Sequence, residues 1–142
     1  MLARVLNNSF YEYAVNFTFV GNEQQQSNIQ IQSDAHFLVV MTAYDTNIAA
    51  TGGFGAGTAA QFGGSLVQLT DVAGQRILSN IAVPASTLFG TAQRPFVWPF
   101  THLFRANSGI TVQATGIVAA TAQTVRYAFI GYKVPVGSVA GL

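Results

Sequence analysis

The chain has 142 residues, half of them hydrophobic, but only 8% are charged, with six Lys and Arg against five Asp and Glu. An ordinary soluble domain carries about 25% charged residues, so this one has little charge to oppose self-association and leaves its polar surface to Thr, Gln, Asn and Ser. The basic residues Arg4, Arg76, Arg94, Arg105, Arg126 and Lys133 are scattered, which argues against direct nucleic-acid binding; the lack of cysteine excludes disulfides and thiolate metal sites, and no apolar run approaches the ~18 residues of a membrane span.

The start, Met1-Leu-Ala-Arg-Val-Leu-Asn-Asn8, has no apolar signal-peptide core, so synthesis in the cytoplasm is expected. Residues 13–20 alternate, with Tyr13, Val15, Phe17 and Phe19 on one face and Asn16 and Thr18 on the other. That period of two predicts a half-buried strand. Gly21-Asn22 marks a turn, Glu23–Ser27 reads as a polar loop, and Ile29 and Ile31 alternate with Asn28, Gln30 and Gln32 in a second strand. Residues 35–44 are the most apolar run and read as a buried central strand.

Thr51–Gly64 follows, with six glycines among its 14 residues, and reads as a long loop. It lacks the Lys-Ser/Thr ending of a phosphate-binding loop, so it gives little support for a nucleotide site. Ser65–Thr70 and Gln75–Leu78 form a predicted hairpin around Asp71–Gly74. Ser86–Phe89 suits one helical turn. Pro95 and Pro99 make Arg94–Phe100 an edge strand or an extended crossing. Asn107-Ser-Gly109 signals a turn before a strand at 110–115, and Gln123–Val134 is the last long strand, with Val125, Tyr127 and Phe129 on one face. About eight strands with little helix predict a single all-β domain over 1–142, an antiparallel β-sandwich of jelly-roll type. Phe17, Phe19, Leu38, Val40, Val112, Tyr127 and Phe129 are the expected core. The glycine-rich loop 51–64 and an uncharged C-terminal arm, 135–142, are expected to be ordered by neighbouring chains.

No catalytic, cofactor or metal site is legible. Asp34 and His36 stand two apart, a spacing that puts both on one face of a strand, but a cation needs a further ligand such as His102. Ordinary hydrogen bonding explains them better. No serine lies in Gly-x-Ser-x-Gly, and the acids Glu12, Glu23, Asp34, Asp45 and Asp71 form no evident pair. Phe96, Trp98, Phe100 and Phe104 suit packing, as core or as interface, more readily than sugar or base stacking.

Arg94-Pro-Phe-Val-Trp-Pro-Phe-Thr-His-Leu-Phe, the strand introduced by Asn107-Ser-Gly109, and the closing Val125-Arg-Tyr-Ala-Phe-Ile-Gly-Tyr-Lys133 resemble small β-sandwich capsid cement or decoration proteins of tailed bacteriophages. The likeness is one of style and covers about a third of the chain. It implies a non-enzymatic, oligomeric jelly-roll subunit on the capsid surface of a virion, bridging major capsid protein or other virion subunits and needing no cofactor. Two other classes are weighed. One is a carbohydrate- or ligand-binding sandwich using Trp98, Tyr127 and Tyr132, for instance in a phage tail or receptor-binding apparatus. The other is a cupin-like enzyme, for which two histidines are too few.

Overall fold

The computed structural model describes residues 10–48, 65–91, 93–117 and 122–137. Among the described residues nine strands follow in chain order: β1 (Phe10–Val20), β2 (Gln24–Gln30), β3 (Ala35–Ile48), β4 (Ser65–Asp71), β5 (Arg76–Ile77), β6 (Val83–Pro84), β7 (Phe96–Phe104), β8 (Gly109–Gly116) and β9 (Ala122–Pro135). A single helical turn, α1 (Ala85–Leu88), separates β6 from β7. The expected loop at 51–64 lies outside the described residues, as does the arm beyond residue 137.

One sheet has the order β1-β9-β3-β7 and the other β2-β8-β4-β5, with β6 also on β4. All strand pairs are antiparallel. The first strand therefore pairs with the last, β2 with β8, β3 with β7 and β4 with β5. This nesting is the winding of a jelly roll, in which a long antiparallel ribbon folds over itself into two facing sheets.

The alternation read in β1 holds: Tyr13, Phe17 and Phe19 are buried, Val15 packs beside them, and the even residues are exposed. Ile29, Val112, Tyr127 and Phe129 also enter the core as the period of two requires. Phe89, placed just after α1, fills the centre, with ring centroids 4.8 Å from Tyr127 and 5.5 Å from Phe129.

Two expected core residues do not reach it. Leu38 and Val40 are only half-buried, and Phe37 and Val39 point inward instead. In an apolar run both parities look alike, so the period cannot choose the inward face. A bulge between Val39 and Met41 then shifts the phase. Beyond it the even residues Thr42 and Thr46 turn inward. Gly131 faces the bulge, and a Cβ there would lie 1.9 Å from the Leu38 carbonyl oxygen, so only glycine fits.

β7 is an edge strand, in agreement with its prolines. Its pairing with β3 jumps from Val39↔His102 to Met41↔Val97, so Trp98–Thr101 stand out of the ladder around Pro99, which has no N–H to give.

Candidate functional site

Two regions of the surface gather side chains able to hold a partner. The first is the rim where β7 of one sheet meets β5 of the other. A cavity of about 330 Å³ opens there between Arg76, Leu78, Trp98, Pro99, Phe100 and His102. Trp98 is fixed by an indole N–H donated to Thr42 Oγ1 at 3.1 Å, and the Thr42 hydroxyl donates in turn to the Leu88 carbonyl. Phe100 is 84% exposed. The aromatic cluster is thus divided: Phe104 is core, Phe96 and Trp98 are half-buried, and Phe100 stands in solvent.

His102 closes this rim. Its Nε2 lies 2.9 Å from Asp71 Oδ2, and its ring meets Phe104 edge-on at 4.6 Å. The sequence reading places Asp71 in a turn; it is the last inward residue of β4, after Ser65, Val67 and Leu69. The strand's own parity carries that signal. Asp71 is buried, and among the described residues its Oδ1 has no hydrogen-bond partner. An unsatisfied buried carboxylate oxygen is costly, so the His102 contact acts as a clasp between the two sheets.

The second region is the outer face of the four-stranded sheet. Register aligns three rows across it: Asn16, Arg126 and Asp45; Ala14, Ala128 and Ala43; and Glu12, Ile130 and Met41. Ala43 and Ala128 form the floor of a trough that holds a cavity of about 270 Å³. Gly90 extends the floor by bridging Ala43, giving its carbonyl to the Tyr44 N–H at 2.7 Å. Arg126 Nε donates to Asn16 Oδ1 at 2.8 Å, which holds the guanidinium over the face of β1. Glu12 and Asp45 line the same cavity, a juxtaposition invisible without the register.

The residues weighed for a metal are not brought together. Asp34 lies in the turn before β3, with Lys133 Nζ 3.1 Å from its carboxylate. His36 is buried and its Nδ1 accepts the Ala106 N–H at 2.9 Å. Phe37 faces Phe104 and Val39 faces His102, so His102 shares the inward face. His36, between Ala35 and Phe37, lies on the opposite face of the sheet. Glu23 closes the β1–β2 turn, accepting the Val20 N–H at 2.8 Å.

Of the three residues weighed as a stacking platform, Tyr127 is fully buried and hydrogen-bonds the Ser65 hydroxyl. Burial pushes its phenol up to about 12, against the lowering effect of the Ser65 bond. Tyr132 packs edge-on to Phe10 at 6.4 Å. A scan against protein-family models finds no match to this chain, and a search of curated proteins finds none either.

Proposed function

We propose that this chain is a non-enzymatic structural subunit of a viral shell, a capsid cement or decoration protein that bridges major capsid subunits from the outer surface of the virion. The observation that carries the reading is the largely apolar cavity at the rim where β5 meets β7. Phe100 of β7 stands in solvent there beside the half-buried Trp98 and Leu78, while Val97 of β7 is exposed on the outer face next to Met41 and Ile77 of β5 on the outer face of the other sheet. Arg76 and the His102–Asp71 pair are the only ionisable groups placed at that rim among the described residues. Apolar side chains that share one exposed surface, as Phe100, Trp98, Pro99 and Leu78 do at this cavity, favour a partner over free solvent. Neutral contacts also cost less to desolvate than ions. The jelly-roll winding and the scarcity of charge over the whole chain support the same reading.

Attachment through such contacts should survive high salt, because screening weakens charge pairs and leaves apolar burial intact. The test is to wash particles carrying the subunit in ~1 M salt, where the screening length is about 3 Å. Their rupture temperature is then compared with that of particles lacking the subunit. Retention and a higher rupture temperature are expected. Release by salt, or equal rupture temperatures, refutes the reading.

One observation favours a second reading, a ligand-binding sandwich. The rim cavity joins two aromatic rings, Trp98 and Phe100, with the Arg76 and His102 side chains. Trp98 is the chain's single tryptophan. Saturable quenching of its fluorescence by an oligosaccharide, with no binding to particles, would put this reading first.

A further inference from the structure

Among the described residues the outer edge of β1 has no strand partner, and side chains cover only its far end. Thr18 gives its carbonyl to Gln25 Nε2 at 2.7 Å and Val20 its N–H to Glu23 Oε1 at 2.8 Å. Both groups therefore point away from β9. In a strand, groups of alternate residues point the same way, so the N–H and C=O of Glu12, Ala14 and Asn16 also face outward. Among the described residues no strand pairs with that side. Edge strands are usually guarded by proline, bulges or several charges. β1 has no proline, pairs with β9 through eleven consecutive residues without a register shift, and carries one charge, Glu12.

We propose that two copies of this chain join along β1, antiparallel about a two-fold axis, with Ala14 facing Ala14 of the second copy. Charge complementarity selects this register. It sets Glu12 opposite Asn16 of the second copy, beneath the Arg126 guanidinium that Asn16 holds. The symmetry makes that contact twice and keeps the two Glu12 carboxylates apart. Moving the axis to Tyr13 would instead place the two Glu12 side chains on a diagonal, where like charges oppose. In the chosen register Phe10 faces Thr18 of the second copy and lies diagonal to Val20, so two exposed apolar residues, 62% and 71% accessible, cover one another. Ala14 is small and offers no steric bar at the axis. The edge of the second sheet, β2, has no charged residue between Gln24 and Gln30 and raises no opposing charge beneath the joint. The product is one eight-stranded sheet running through both copies. The pairing does not depend on what the subunit binds.

The test uses the full chain. Wild-type protein should sediment at twice the chain mass. Glu12→Lys and Arg126→Glu should each sediment at the chain mass at the same concentration while keeping a β-type circular-dichroism spectrum. An equimolar mixture of the two variants should recover the doubled mass, because each copy then meets an opposite charge. Only an intermolecular contact can produce that recovery. The chain has no cysteine, so single cysteines report cleanly. Directly opposed, hydrogen-bonded residues sit about 5.5 Å apart, inside the range a disulfide spans. Ala14→Cys should therefore oxidise to a dimer, and Thr18→Cys, which faces Phe10, should not. A monomeric wild type, a mixture that stays at the chain mass, or equal crosslinking at both positions overturns the proposal.

Discussion

The four-stranded sheet ends in two edges of opposite construction. β7 is interrupted: Pro99 withholds an N–H, Trp98–Thr101 leave the ladder, and Val97 and Phe100 stand exposed. β1 is continuous, with a row of outward backbone groups and a single charge, Glu12, among the side chains above them. A chain with so few charges cannot guard both edges with lysine or glutamate. It guards one with proline, which turns that edge into a surface of side chains. The other edge keeps its hydrogen-bonding groups aligned. The same sheet thus offers two kinds of adhesion, one apolar and one through the backbone.

The largest effect should come from the strand that supports both edges. β9 lies between β1 and β3, and Phe129 on it is fully buried against Phe89. Phe129→Ala should cost about 3–5 kcal/mol, read from the denaturation midpoint. Leu38→Ala, at a half-buried site, should cost clearly less. If the order reversed, the inward face of β3 would be wrongly assigned, and with it the face that β7 presents.

The next effect is set by pH. The Tyr127 phenol, with an ordinary value of 10.0, is raised to about 12, first by burial. The neutral phenol is the form the fold favours. Its contribution is therefore complete below pH 10 and is lost as pH rises from 10 through 12, where the unfolded chain has released the proton and the folded one has not. The gap corresponds to about 3 kcal/mol. Tyr127→Phe removes this loss while leaving Ser65 unpaired, so the variant should be less stable than wild type near pH 8 and should close the difference by pH 12. Parallel stability curves for the two proteins across that window would rule out a buried Tyr127 hydroxyl.

Much of this architecture was legible in the residues. The alternation in β1, β8 and β9 predicts their inward faces, because polar residues such as Asn16 and Thr18, Thr111 and Gln113, and Thr124 and Arg126 mark the opposite parity. Pro95 and Pro99 predict an edge for β7. Where the sequence is apolar at both parities, as in Phe37–Met41, it carries no such information, and the bulge that decides the phase depends on Gly131 of another strand. The two surface regions were less legible for the same reason. The Asp71–His102 clasp joins strands of different sheets, and the Glu12–Arg126–Asp45 grouping depends on the register of three strands. Neither leaves a local spacing to read.

Trp98 and Phe100 sharpen the contrast at the β7 edge. Trp98→Phe removes the indole donor to Thr42 and should cost about 0.5–1.5 kcal/mol of stability. Thr42 keeps its bond to Leu88, so the loss should not be larger.

Phe100→Ser should have the smallest effect on the isolated protein. The side chain is almost wholly in solvent, and substitutions at such sites usually stay within about 0.5 kcal/mol. The same change removes the largest apolar side chain exposed at the rim. Thermal denaturation of the free subunit should therefore match wild type, while particles mixed with the variant should retain less of it after washing. The two readouts fail in different ways. A fall in the melting temperature comparable to that of Trp98→Phe would mean that Phe100 packs within its own chain and is not free to contact a shell. An unchanged melting temperature with unchanged retention would remove the β7 edge as the docking surface. Glu12→Lys, at the other edge, gives the reciprocal control. It should abolish self-pairing along β1 and leave the apolar rim intact, so a single copy should still bind particles, held by the β7 side alone.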